Sequence, residues 1–111
     1  MELSKYVSDG TTVITLCGEL DSSTAPRTHG SLEELLPEEG TVVLDLSGMS
    51  YMSSAGLRVL LLAHRRAQRN GVGLVLASIP EEVRMTMSAT GFLEFFTVAG
   101  SVAEGVGVLS G

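Results

Sequence analysis

Asp45-Leu46-Ser47-Gly48-Met49-Ser50-Tyr51-Met52-Ser53-Ser54-Ala55-Gly56-Leu57-Arg58-Val59-Leu60-Leu61-Leu62 is the stretch on which the reading of this chain turns. It completes an apolar run, Thr41 to Leu46, crosses a short polar loop and enters a helix through two adjacent serines. A nearly continuous apolar run of this kind is what a parallel strand covered on both faces requires. A helix start presents unpaired backbone N–H groups and the positive end of the helix dipole, which together favour an anion.

Working outward, the segments on either side supply the rest of an α/β sheet. Upstream, Leu3 to Val7 alternates loosely and reads as an edge strand, and Asp9-Gly10 is a hairpin signal. Thr11 to Cys17, rich in β-branched residues, pairs with it antiparallel. Gly18 to Thr24 reads as a polar loop with several N-cap residues, and Pro26 suits the first turn of a helix that stops at Pro37. Gly30 is a weak point in that helix, and Ser31-x-x-Glu34 offers a second capping box. Downstream, the central helix ends near Asn70-Gly71, with Arg65, Arg66 and Arg69 in its last turns, where the dipole prefers cations. Gly73 to Ser78 is a further strand, and Pro80-Glu81-Glu82 starts a helix that ends near Thr90-Gly91. Phe95 to Val98 is a short last strand, and Ser101-Val102-Ala103-Glu104 caps a final helix shortened by Gly105 and Gly107. The expected order is β-β-α-β-α-β-α-β-α, in one α/β domain over residues 1–111 with a mixed, mostly parallel sheet and right-handed crossovers.

Composition narrows the function. A chain of 111 residues, 44% hydrophobic and 18% charged, fits one globular domain. A net charge of −6 argues against nucleic acid, whose phosphates need a basic surface. Met1 to Gly10 lacks a signal-peptide pattern, and no apolar run nears the ~20 residues of a membrane span, so a cytoplasmic chain with no membrane contact is expected. Cys17, the single cysteine, sits in an apolar strand pattern and reads as a buried small hydrophobe. Cys17, His29 and His64 have no metal-ligand spacing, and no glycine-rich phosphate loop or G-x-G-x-x-G is present. Ser53-Ser54-Ala55-Gly56 does not meet the G-x-S-x-G pattern of a nucleophile elbow, and no carboxylate pair is spaced for acid–base work. No catalytic residue, metal or cofactor is expected.

What remains is a surface. At about 100° per residue, Leu57, Leu60, Ala63, His64 and Ala67 share one side of the central helix, which should face the sheet. Ser54, Arg58, Leu61, Arg65 and Arg69 fall on the other side with Leu62 close by. Two leucines among arginines read either as a broad apolar arc packed on neighbouring elements or as a partner-docking face headed by Ser54. Ser53 suits the N-cap, with Met52 and Leu57 placed as a hydrophobic staple, which leaves the Ser54 hydroxyl free. The loops after two parallel strands, 18–24 and 47–54, emerge at the carboxyl ends of the sheet, where sites gather in open α/β folds. Asp21 and Ser54 are therefore expected neighbours.

The segment Leu44 to Leu61 closely resembles the signature of the sulphate-transporter and anti-sigma-factor antagonist (STAS) domain, and Gly18 to Pro26 resembles that family's other diagnostic loop. The resemblance covers the whole chain and implies a partner switch. In such families a serine two residues before the signature glycine, here Ser54, is phosphorylated by a serine/threonine-protein kinase that is itself the anti-sigma factor. A metal-dependent serine phosphatase removes the phosphate, and the dephosphorylated antagonist binds the kinase and frees a sigma factor. The family commonly has aspartate where Ser53 stands, which makes Ser53 an alternative phosphosite, and frequently glycine where Arg58 stands. The resemblance implies partner contacts at Asp21, Ser53 and Ser54, continued by Arg58, Leu61, Leu62 and Arg65 of the helix face; Asp21 also reads as a turn or capping residue. A different role in the same family is a scaffold, or a soluble regulatory subunit of a lipid-transport ATPase, using the same helix without phosphate. Oligomeric state is left open.

Overall fold

The computed structural model describes residues 1–110, and its elements follow the hydrophobic pattern with one strand added. They are β1 (Glu2–Ser8), β2 (Thr11–Leu20), α1 (Ala25–Leu35), β3 (Thr41–Asp45), β4 (Met49–Met52), α2 (Ser54–Arg69), β5 (Gly73–Ala77), α3 (Glu81–Ala89), a 3-10 turn (Leu93–Phe95), β6 (Thr97–Ala99) and α4 (Val102–Ser110). The sheet order is β1-β2-β3-β5-β6, with β4 paired to β2 off that path. Only β1 is antiparallel, joined to β2 through Asp9 and Gly10, both at positive φ as a tight hairpin demands. The other pairings are parallel, so the expected mixed, mostly parallel sheet is present.

Alternation along the buried strands divides the core. Val42 and Leu44 of β3 face a cluster shared with Leu32 of α1, Leu57 and Leu60 of α2, and Val83 and Met87 of α3. Val43, between them, faces a second cluster closed by Val106 of α4, with Val13, Val75 and Ala99. This two-sided burial is why β3 and β5 read as unbroken apolar runs.

Four expectations change. The segment before the central helix is not a loop: Met49–Met52 is strand β4, with its two end residues buried and its two middle residues exposed. Its partner is the far end of β2, which runs on through Gly18-Glu19-Leu20 after a register shift at Gly18/Glu19, where Gly18 adopts φ +115°. Cys17 is exposed rather than buried, because it lies past Val13 on its face of β2, at the last pair of the β1 ladder, and belongs to neither core cluster. The last strand begins at Thr97, Leu93 to Phe95 having coiled into the 3-10 turn. Helix α1 passes through Gly30 without a second cap, since burial of Thr28 and Leu32 on its inner face holds it to the sheet.

Candidate functional site

Every parallel strand ends on the same side, and the site is assembled there from the ends of β2 and β4. Leu20 pairs with Met52, and one residue further on the Ser53 amide donates to the Leu20 carbonyl at 3.0 Å. Asp21 and Ser53 thus follow directly on two hydrogen-bonded strands, with Ser54, the residue expected beside Asp21, one position further along the chain.

The two serines have different surroundings. Ser53 is extended, at φ −94° and ψ 176°, and its Oγ accepts from the Gly56 amide at 3.3 Å. It is the N-cap, satisfying one of the helix's orphan donors. Met52 before it and Leu57 after it are both buried in the main core cluster, as a hydrophobic staple requires. Ser54 is the first residue of α2, exposed, and its hydroxyl has no hydrogen-bond partner among the described residues.

Asp21 organises the facing loop. One carboxylate oxygen accepts from the Ser23 hydroxyl at 2.7 Å, the Ser23 amide at 2.9 Å and the Thr24 amide at 3.2 Å. Its carbonyl accepts from the Ala25 amide at 2.8 Å, at the start of α1. Donation by the Ser23 hydroxyl, then by the Ser23 and Thr24 amides, holds the Asp21 carboxyl below its usual range. The turn-forming reading of Asp21 is therefore realised, and it leaves the residue as a negative charge turned into its own loop at the end of β2.

The distance between the two loops is set by Gly56. A Cβ there would lie 2.5 Å from the Leu20 carbonyl oxygen and 2.7 Å from Leu20 Cγ. Only glycine lets the first turn of α2 approach β2 this closely.

Beyond the serines, α2 buries Gly56, Leu57, Val59, Leu60, Ala63 and Ala67. His64, expected on that inner side, sits at its border, its ring 5.1 Å from Phe96 and its Nδ1 buried without a partner. Burial lowers its pKa from the ordinary 6.5. On the outer side Arg58 and Arg65 are exposed, while Leu61 and Leu62 are half-buried. These four residues, with His64 and Gln68, form one wall of a groove of about 600 Å³, and Phe92 and Phe95 form the other. The two phenylalanines were not singled out from sequence. The available signal was their clustering, since all three phenylalanines of the chain lie between positions 92 and 96. Arg66 is turned away, paired with Glu33 of α1, which also lies 3.3 Å from His29. Among the described residues no three His, Cys, Asp or Glu side chains converge as a metal site, and no helix is long and apolar enough to cross a membrane.

The carboxyl ends of the sheet thus carry a capped, serine-headed helix beside an aspartate-closed loop. The chain belongs to the STAS domain family, whose model matches residues 2–105. It is 36% identical over 102 residues to BtrV of Bordetella bronchiseptica, which is named as a candidate anti-sigma factor antagonist; the match spans 91% of this chain and 88% of that protein. It is 31% identical over 86 residues to the anti-sigma-B factor antagonist of Listeria monocytogenes, spanning 77% of this chain and 75% of that one. Among solved structures, a candidate anti-sigma factor antagonist of Thermotoga maritima superposes with a TM-score of 0.88 over 98% of this chain and 95% of its own; at 16% identity this is a likeness of fold.

Proposed function

We propose that this chain is an anti-sigma factor antagonist controlled by phosphorylation of Ser54. In its dephosphorylated form it binds an anti-sigma factor serine/threonine-protein kinase through Asp21, Ser53, Ser54 and the outer face of α2, and so releases a sigma factor. A metal-dependent serine phosphatase resets it. The observation that carries the reading is the division of labour in the serine pair: Ser53 is spent on the cap, while Ser54 stands exposed with a free hydroxyl.

The chemistry follows from charge. A phosphate on Ser54 adds about −1.5 to −2 charges at neutral pH. The α2 dipole tolerates that charge at its N-terminus, and Arg58, one turn on, is placed to pair with it. The fold therefore stays as it is while the docking surface changes sign. Burying the phosphate in an interface without a partner costs several kcal/mol, set against about 8 kcal/mol for the whole of a micromolar interaction. Relatives named as anti-sigma factor antagonists, aligned over most of this chain, support the assignment.

The test is incubation with ATP and an anti-sigma factor kinase, followed by mass spectrometry of the peptide containing Ser53 and Ser54. One phosphate on Ser54, lost in Ser54→Ala and removed by a metal-dependent phosphatase, is the expected result. An unmodified chain that instead binds a lipid-transport ATPase would overturn the switch in favour of a regulatory subunit.

A further inference from the structure

The charge on this protein is unevenly placed. Four of its seven Lys and Arg residues lie on α2, which has no Asp or Glu, although the chain as a whole carries −6. Arg66 is neutralised by Glu33. Among the described residues Arg58 and Arg65 make no ion pair, and both line the groove with Leu61, Leu62, Phe92 and Phe95. Glu94, between the two phenylalanines, does not line it. Phe95 is 58% exposed, a large aromatic left to solvent beside two half-buried leucines. An apolar floor flanked by two unpaired cations, in an otherwise acidic domain, selects its occupant by charge.

Arg58 and Arg65 are seven residues apart on one helix, two turns, which at ~1.5 Å per residue puts them about 10 Å apart along the axis. Side chains seven apart on a second helix have the same spacing. The groove's walls are side chains of a helix and a 3-10 turn, the arrangement in which an amphipathic helix is received. We propose that the groove receives an acidic amphipathic helix of the protein partner. Its carboxylates, two turns apart, meet Arg58 and Arg65, and its apolar side chains lie between them on Leu61, Leu62 and Phe95. This rests on the reading of α2 as the partner face and adds the chemistry of what docks there. It also gives the Ser54 phosphate a second effect: a phosphate one turn before Arg58 diverts that guanidinium and presents like charge to the incoming acids.

The probe is a display library of random peptides about sixteen residues long, selected against the unmodified full chain. Selected peptides are then mapped by amide shift changes. The expected peptides are rich in Asp or Glu spaced seven apart with Leu or Phe between, and shift Arg58 to Gln68 and Phe92 to Phe95. They should bind about tenfold or more weakly to Arg58→Glu/Arg65→Glu, and lose affinity as salt rises. Phe95→Ala, which leaves both cations in place, should weaken the same peptides. Neutral or basic peptides, shifts elsewhere, or no selected peptide would overturn the proposal. So would a dimer in sedimentation that Phe95→Ala dissolves, since the groove would then hold a second copy of the chain. The selection involves no kinase and no phosphate, so a failure of Ser54 modification and a failure of the groove are separate results.

Discussion

Gly56 and Leu20 are in contact that no other residue at position 56 permits: a Cβ on Gly56 would stand 2.5 Å from the Leu20 carbonyl oxygen. That same oxygen accepts the Ser53 amide. The cap of α2 and the end of β2 are therefore one rigid joint, and Ser54 opens the helix from it with its side chain exposed.

Gly56→Ala should destabilise the domain by about 2 kcal/mol in urea denaturation. Overpacking against a backbone carbonyl costs roughly 1–3 kcal/mol and outweighs the ~1 kcal/mol that alanine gains in helix propensity. Gly30→Ala is the control with the opposite sign. It lies mid-α1 with nothing within 4 Å of the added methyl, so it should stabilise by about 0.5–1 kcal/mol.

Ser53→Ala removes the acceptor for the Gly56 amide and should cost about 1 kcal/mol of stability. Ser54→Ala, which removes no hydrogen bond, should change stability by less than about 0.5 kcal/mol. Equal losses in the two variants by thermal denaturation would contradict the assignment of the cap.

Ser54→Asp should weaken binding to an anti-sigma factor kinase by about tenfold or more, and Ser54→Ala should leave it intact, as read by calorimetry. Amide shift changes in the phosphorylated chain should stay near residues 52–58 and 20–23. A rearranged core would contradict a switch that works by surface charge.

His64 sets a pH dependence. Burial lowers its folded pKa, so between that value and the unfolded 6.5 the unfolded chain binds more protons than the folded one. Its contribution to stability is complete above 6.5, falls as pH drops through that window, and levels off below the folded pKa. His64→Phe, placed against Phe96, should flatten the denaturation profile across this range. An unchanged slope would show that other groups set it.

The main elements were legible because their physics is local. Thr41–Asp45 and Gly73–Ala77 are nearly continuous apolar runs since both faces are covered, and Ser53 announced a helix start by chemistry alone. Strand β4 was not legible. Its four residues bury only Met49 and Met52, which gives no alternation, and it exists because β2 bends at Gly18 to offer it a second edge. Cys17 misled for a related reason: its sequence neighbours are apolar, but it lies past Val13 on its face of the strand and outside both core clusters. At the site, the position of Ser54 and the arginine-leucine face followed from helical periodicity. The opposite wall, Phe92 and Phe95, depends on where a 3-10 turn folds back, a long-range matter no local pattern encodes.

The parallel run of β2, β3 and β5 also gives the molecule a free end. Pro37 to Gly40 lies at the amino ends of the strands, with Gly40 accepting from the Gly73 amide. β2 runs on from Thr15, opposite Asp45, to Leu20, so more than the roughly 15 Å of a five-residue strand separates this end from Asp21 and Ser54. Glu38 and Glu39 are exposed there. A dye, a surface tether or an inserted reporter domain attached at Glu39 would hold the protein by its back, leaving Ser54 and the start of α2 open to a partner throughout a measurement.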